Sequence, residues 1–128
     1  MVRIITRLET VRKETEEYEA HALGNFKIGP TIGKMKAIIA DEDIDVKANE
    51  AKSVKIKKIK IPENHVTFVS AYAANKLGHA IAVGEEVHLP ISMAKNVDYA
   101  SFLANLDGSI NKDDLLGVLI ILPIEMIK

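Results

Sequence analysis

The sequence predicts an all-β domain, a barrel or sandwich assembled from short strands. Apolar segments of strand length recur along the chain, and clusters of glycine, proline, asparagine and aspartate separate them. Counting these segments gives roughly nine to eleven strands and one or two short helical turns, as in antiparallel barrels and sandwiches. The chain shows neither a tandem repeat nor a low-complexity linker. We therefore expect a single domain over residues 1–128.

The composition limits both the core and the chemistry. The chain has 128 residues, 48% hydrophobic and 27% charged, which are ordinary values for a globular protein that buries a core. With three Phe, three Tyr and no Trp, that core has to be built from Ile, Val, Leu and Ala. The lack of cysteine rules out disulfides, thiolate zinc sites and a cysteine nucleophile.

Charge is spread unevenly along the chain. The formal net charge is −1, with 13 basic and 11 acidic side chains in residues 1–64 and 4 and 7 in residues 65–128. The charge-poor second half indicates extensive burial, including burial against other copies of the chain. This balance predicts no nucleic-acid partner. No apolar run approaches the ~20 residues of a membrane span, and no apolar signal-peptide core follows Met1, so we expect no membrane association and a cytoplasmic protein.

The N-terminal third is predicted to consist of strands and turns. Residues 11–23 are rich in Glu and Lys, which favours a helix, but their last part alternates with period two, and a strand is the preferred interpretation. The predicted elements are a strand at 2–10, a strand within 11–23, a turn at Gly24–Asn25, a short strand at Phe26–Ile28, a loop at Gly29–Gly33 and a strand at Lys36–Ala40.

The acidic run Asp41–Val46 places four carboxylates in its first five positions. Hard cations prefer oxygen ligands, so a metal site is one interpretation of this run. The run lacks the glycine and the later glutamate of a calcium loop, and a solvated turn or strand edge is the favoured interpretation.

Lys52–Ile61 alternates lysine with apolar residues and is predicted to be a strand. Val54 and Ile56 face inward before a slip in phase at Lys57–Lys58, and Ile59 faces inward after it, which indicates a β-bulge. The lysines raise the alternative of a nucleic-acid surface. No aromatic residues interleave for base stacking, so a solvated face that blocks edge-to-edge pairing is favoured.

The second half continues with short strands and strong turn signals. Its predicted elements are a turn at Pro62–His65, a strand at Val66–Ser70, one or two helical turns at Ala71–Leu77, strands at His79–Val83 and Asp98–Leu103, and turns at Gly84–Glu86 and Asp107–Gly108. Leu115–Ile124 is the most apolar run of the chain. We expect it to be a strand buried on both faces, in a sheet core or a subunit interface, with pairing that ends at Pro123.

Four scattered histidines include His79 and His88, which flank the Val83–Val87 segment. A histidine pair with Glu85 or Glu86 is one interpretation, a divalent-metal site. Surface histidines or hydrogen-bonded core histidines are favoured over it, and we expect neither a metal nor a cofactor.

Three segments resemble the dUTPase and dCTP deaminase family in their order and spacing. They are the acidic turn Ala40–Val46, the Ile-Pro-Glu turn and its strands at Ile59–Val69, and the terminal strand that follows Asp113 and ends near Leu122-Pro123. The resemblance covers residues 36–127. It implies a β-clip fold, a distorted barrel or sandwich, that assembles as a homo-oligomer, with a trimer favoured.

The resemblance does not extend to the catalytic motifs of that family. Ala37–Ala40 stands where the family has a magnesium-binding Asp, and Ala71–Ala74 stands where its Arg and Ser contact phosphates. Asp98 and the Tyr after it match the water-activating Asp and the Tyr under the deoxyribose, without the flanking Gly and Arg. Leu115 and Val118 replace an Arg and a Gln. Since a triphosphate needs cations or a metal to offset its charge, dUTPase activity is not expected.

The whole chain, including Arg3–Val11 and Leu77–Val87, is similar to an archaeal family known as domain of unknown function 22. This resemblance implies an archaeal cytoplasmic protein without an assigned activity.

The leading functional interpretation is a homo-oligomeric β-clip domain that is not an enzyme and has a binding or structural role. A small anionic or nucleotide-like ligand would lie at a subunit boundary, near Asn75, Lys76 and His79, the polar residues closest to the lost phosphate motif. The alternative is a nucleotide-directed or metal-dependent hydrolase related to dUTPase, with Asp98 as its base. A purely structural module for a partner protein is the third interpretation.

Overall fold

A computed structural model describes residues 22–72, 75–125 and 127 of the chain. These residues form strands and turns with no helix among them, so the predicted all-β class is confirmed. The strands are β1 (Ala22–Ile28), β2 (Thr31–Ile39), β3 (Ile44–Val46), β4 (Ala51–Ile61), β5 (His65–Val69), β6 (Gly78–Gly84), β7 (Lys95–Ala104), β8 (Gly108–Ile110) and β9 (Leu115–Pro123). No helix in this described part is long and apolar enough to cross a membrane.

The strands pair antiparallel in a four-stranded sheet, β1-β2-β9-β5, a three-stranded sheet, β4-β7-β6, and a two-stranded ribbon, β3-β8. The two larger sheets pack face to face. At their contact, a Cβ on Gly117 of β9 would lie 3.5 Å from the Cβ of Ala80 on β6.

The core between the sheets is aliphatic, as the composition predicts. Phe102 is the largest of its fully buried side chains, and isoleucine, leucine and valine fill most of the remaining volume. The principal core residues are Ile38, Val54, Ile56, Ile59, Ile61, Phe102, Ile110, Leu116, Leu119 and Ile121.

The terminal strand β9 lies between β2 and β5, in the middle of its sheet. The predicted burial on both faces holds for one face within the single chain. Leu119 and Ile121 are fully buried against the other sheet, whereas Ile120, on the opposite side, is half-buried. Strand β9 ends at Pro123, as predicted, and one further backbone bond to the β5 side follows it, from the Ile124 N–H to the Asn64 carbonyl at 2.9 Å.

The second face of the four-stranded sheet is also apolar. Cross-strand partners share a face, and the register puts Met35, Ile120 and Phe68 in one row. The ring of Phe26 covers its cross-strand partner Gly33 on this face, and a Cβ on Gly33 would collide with that ring. We call this surface the outer face. Its apolar side chains that retain exposed surface are Phe26, Ile28, Met35, Val66, Phe68, Val118, Ile120 and Leu122.

The predicted bulge in β4 and the predicted turn at Pro62–His65 are confirmed. The register of β4 against β7 shifts between Lys55 and Ile59, which is the bulge expected at Lys57–Lys58. Asn64 has a φ of 56° in the turn that joins β4 to β5, and Asn49 has a φ of 66° in the turn before β4. Both are asparagines in the left-handed region, where this residue type is tolerated.

Two of the predicted turns and loops in the described part are wrong. Gly24–Asn25 is not a turn but part of β1, where a register shift between Ala22 and Gly24 gives that glycine its φ of 127°. The chain reverses instead at Gly29-Pro30, so the predicted 29–33 loop is shorter and β2 begins at Thr31. The predicted strand at 2–10 and most of the 11–23 segment lie outside the described residues.

The helical turns predicted at Ala71–Leu77 are also absent from the described part of that segment. Ala71 and Tyr72 form a bend, and Asn75 begins a turn that leads into β6. The amide side chain of Asn75 accounts for this, because it accepts a hydrogen bond from the Leu77 N–H at 2.9 Å.

Candidate functional site

A cavity of about 430 Å³ lies at one end of the sandwich. The last residues of β4 and β6, the first half of β7, Thr67 of β5 and the 85–91 loop surround it. Its volume falls in the range of roughly 300–1,000 Å³ that is usual for small-molecule sites. The lining residues are Ile61, Thr67, Val83, Gly84, Glu85, Glu86, Val87, His88, Leu89, Ile91, Lys95, Val97 and Tyr99.

The 85–91 loop that walls the cavity is fastened to its surroundings. The Asn64 N–H donates to the Ile91 carbonyl at 3.0 Å, which ties the loop to the turn between β4 and β5. The Lys95 ammonium donates to the Pro90 carbonyl at 3.3 Å. These bonds give the cavity a defined wall without a ligand, as in the largely preformed sites of binding proteins.

Gly84 at the end of β6 allows Tyr99 of β7 to approach closely. The two residues are cross-strand partners, and a Cβ on Gly84 would lie 2.7 Å from the Tyr99 hydroxyl oxygen. Any side chain at this position would displace the ring, so the glycine is required by close packing here. The phenol hydroxyl, which is both a donor and an acceptor, is thereby held at the cavity wall.

The charged lining is more acidic than basic. Glu85 and Glu86 contribute two carboxylates and Lys95 one ammonium, while His88 adds an imidazole. The Oε1 atom of Glu85 is buried and has no hydrogen-bond partner in the described part of the chain. Leaving a buried acceptor unpaired costs about 1–3 kcal/mol, so a molecule that brings a donor to this carboxylate would be stabilised here.

Sequence comparison places the chain in a family without assigning an activity. The family model "Domain of unknown function DUF22" matches residues 1–108, a span that includes every residue of the cavity lining. The chain belongs to the DUF22 family. It is similar to the uncharacterized protein MJ0614 of Methanocaldococcus jannaschii, with 39% identity over 123 residues that cover 96% of this chain and 92% of the relative. No solved structure matches the chain.

In this DUF22 protein, Asp98 does not belong to the cavity lining. It is half-buried on β7, between Val97 and Tyr99, which both line the cavity. Tyr99, which the sequence singled out as the neighbour of Asp98, is the member of that pair that reaches the cavity. The assignment of Asp98 as a general base stays a prediction.

The residues predicted to bind an anion lie at the opposite end of β6 from Gly84. Asn75 donates from its amide nitrogen to the Leu115 carbonyl at 3.0 Å, so it fastens the start of β6 to the start of β9. Lys76 is exposed, and His79 is half-buried opposite Leu103 of β7. The three are near one another in sequence, but the cavity lining includes none of them. Their ligand-binding role stays a prediction.

The histidines of the predicted pair do not share the cavity. His88 lines it together with Glu85 and Glu86, whereas His79 sits near the start of β6 and is not part of the lining. Within the described ranges, no group of three His, Cys, Asp or Glu side chains could hold a metal ion.

The carboxylates of the acidic run accept hydrogen bonds from the protein itself. Glu42 accepts from the Lys55 N–H at 2.6 Å, Asp43 from the Lys112 N–H at 2.7 Å, and Asp45 from the Ser109 hydroxyl at 2.6 Å. Glu42 and Asp43 fix the segment before β3 to β4 and to the loop after β8, and Asp45 joins β3 to β8, which agrees with the favoured interpretation of a turn or strand edge.

Two lysines of β4 also have acidic partners within the fold. Lys57 pairs with Asp113 at 2.6 Å, and Lys52 lies 3.5 Å from Glu50. Lys55, Lys58 and Lys60 are exposed on this edge strand, where charge disfavours pairing with another sheet.

The sequence missed most of the cavity lining. Glu85, Glu86 and His88 were singled out, but for a metal, and Thr67 and Lys95 were not singled out at all. The acidic pair directly after the Val83-Gly84 strand end was the available signal, because residues that follow a strand lie at the edge of its sheet.

Proposed function

We propose that this DUF22 protein is a small-molecule binding domain that is not itself an enzyme, and that the ligand occupies the cavity beside Glu85. The observation that carries the proposal is the cavity itself, about 430 Å³ with a buried, unpaired carboxylate oxygen in its wall among the described residues. An apolar pocket with a few convergent polar groups is the usual form of a binding site.

Binding is favoured over hydrolysis because the polar groups of the cavity lack a catalytic arrangement around Asp98. That carboxylate is absent from the lining, while the polar groups that are present differ in type and come from Thr67 of β5, the 85–91 loop and the first half of β7. Nucleotide hydrolysis with Asp98 as base remains the alternative from the sequence, and no contact in the described chain favours it.

The cavity is also favoured over the Asn75, Lys76 and His79 region as the ligand site. Both polar ends of the Asn75 amide already bond the backbone, at Leu115 and Leu77. An anion at that region would have to use the exposed Lys76 and the half-buried His79.

The binding domain forms a homo-oligomer in our proposal, with the trimer of the β-clip resemblance favoured over other assemblies. The outer face supports this, because an antiparallel sheet that faces water normally alternates apolar with polar residues. Here β9 is apolar on both sides, and Phe68 is 55% exposed. In the proposed homo-oligomer, a second copy of the chain covers this outer face.

Filling the cavity tests the binding proposal. Thr67 is half-buried in the lining, so Thr67→Phe places a ring where a ligand would lie. We expect a panel of small amines, acids, neutral metabolites and nucleotides, with divalent metals, to raise the melting temperature of the wild type for at least one compound class, and Thr67→Phe to remove that shift.

Thr31→Phe is the matched control, since Thr31 is also half-buried but lies at the tip of the β1–β2 hairpin, outside the lining. This variant should keep the ligand-induced shift. A flat panel with the wild type would overturn the binding proposal, and divalent-dependent release of pyrophosphate from a nucleotide would replace it with the hydrolase.

A further inference from the structure

We infer that the cavity is selective for an organic cation, a small molecule with a protonated amine or amidine group on an apolar body. This inference rests on the proposed function and assigns the ligand's chemical class. Three features of the cavity carry it: the unpaired carboxylate, the charge of the lining and the apolar walls.

The Glu85 carboxylate supplies the recognition group. An ionised carboxylate is an acceptor and has no donor of its own, and its Oε1 finds no donor among the described residues. The terminal torsion of a glutamate is soft, so this oxygen can turn into the cavity that the residue lines. An ammonium or amidinium N–H would then form a charge-assisted hydrogen bond with it.

Comparison with Glu50 shows why Glu85 is unusual. The Oε1 of Glu50 is likewise buried and lacks a hydrogen bond in the described chain, but the Lys52 ammonium lies 3.5 Å from that same atom. Glu50 therefore has a counter-charge from Lys52, at the start of the following strand β4, and lies outside the cavity lining. Glu85 has no such counter-charge among the described ion pairs, and it lines the cavity.

The other charges of the lining favour the same sign of ligand. Two carboxylates, from Glu85 and Glu86, stand against the single ammonium of Lys95, which already donates to the Pro90 carbonyl at 3.3 Å. An anion would meet this net negative lining, whereas a cation would offset it.

The remaining walls fit an apolar body attached to that cation. Ile61 and Val97 are buried core residues that reach the cavity, and the Tyr99 ring lies against Gly84 at its side. Burying hydrocarbon against these walls contributes affinity that a small hydrated inorganic cation would not gain.

A matched set of probes tests the inference: benzylamine, benzyl alcohol and benzoate, titrated into the full chain and followed by backbone amide NMR shifts. The three share a ring and differ in charge. We expect benzylamine to bind at least about tenfold more tightly than the alcohol, with shifts at the cavity residues, and benzoate to bind most weakly.

Glu85→Gln is the decisive variant, because it keeps the side-chain shape and removes the charge. The benzylamine affinity should fall by roughly ten- to hundredfold. The melting temperature of the unliganded variant should not fall, because the replaced oxygen has no partner to lose. Glu63→Gln removes an equal charge from an exposed position outside the cavity lining and should change the affinity by less than about threefold.

The outcomes separate this inference from the proposed function. Equal binding of all three probes, or a preference for benzoate, would overturn the cation assignment and leave the binding domain intact. An unchanged benzylamine affinity in Glu85→Gln would do the same. Absence of binding by any probe or panel compound would overturn both.

Discussion

Asn75 shows how a single side chain replaces a regular element. Its amide nitrogen donates to the Leu115 carbonyl at 3.0 Å, and its amide oxygen accepts from the Leu77 N–H at 2.9 Å. These two bonds join the entry of β6 to the entry of β9 in a partly buried position. The residue therefore has a structural task that does not depend on a ligand.

Asn75→Ala is expected to lower the free energy of unfolding by about 1–3 kcal/mol, because it leaves the Leu115 carbonyl and the Leu77 N–H unpaired. Urea denaturation measures this. Lys76→Ala, at the exposed neighbouring position, should stay within about 0.5 kcal/mol of the wild type. If Asn75→Ala instead kept full stability while an anion lost affinity, the ligand-binding role predicted for it would be supported over the structural one.

Residue identity predicted local chemistry well where the partner lies nearby in sequence. The turn at Asn64 and the bulge at Lys57–Lys58 follow from residue type and phase alone. The partners of the acidic run do not, since Asp43 bonds the Lys112 N–H and Asp45 the Ser109 hydroxyl. More than sixty residues separate each pair, and local pattern carries no information on which strands meet.

At the level of elements, the sequence predicted strands more reliably than the places where they end. β1 and β2 illustrate the limit, because Gly24 looks like a turn residue but occupies a register shift inside β1. A glycine with positive φ serves a bulge as readily as a turn, and the choice depends on the pairing with β2. For the same reason, the loop predicted at Gly29–Gly33 is longer than the turn that the structure shows at Gly29-Pro30.

Strand β9 permits a matched test of its two faces. Ile121→Thr introduces a hydroxyl and removes hydrocarbon in the core, and it should cost more than about 2 kcal/mol of unfolding free energy. Ile120→Thr makes the same change on the half-buried outer face and should cost about 1 kcal/mol or less within one chain.

Urea denaturation at several protein concentrations separates folding from assembly. The loss in Ile121→Thr should not depend on concentration, whereas any loss in Ile120→Thr that grows with concentration belongs to contacts between copies. Equal, concentration-independent losses at both positions would contradict the assignment of these residues to opposite faces of β9.

At the scale of the whole molecule, the cavity is the feature that the sequence could not predict. Its walls come from four strands and one loop, from Ile61 to Tyr99, and the packing of the two sheets brings them together. The sequence singled out Glu85 for its residue type, yet its significance depends on being buried without a donor. Burial of one atom is a tertiary property that no periodicity encodes.

The outer face gives the whole-molecule prediction. Phe68 is 55% exposed on β5, so Phe68→Lys should leave the protomer folded and place a charge in any contact between copies. We expect light scattering to give the mass of three 14.1 kDa chains for the wild type and of a single chain for this variant. Ile81→Lys, at a 48% exposed position on the other sheet, is the matched control and should keep the wild-type mass.

A wild-type mass of one chain would contradict the homo-oligomer, and a mass of two chains would contradict the trimer alone. Because residues of a single chain wall the cavity, we expect benzylamine to bind Phe68→Lys as tightly as the wild type, and a loss of binding in this variant would indicate that the ligand site depends on assembly.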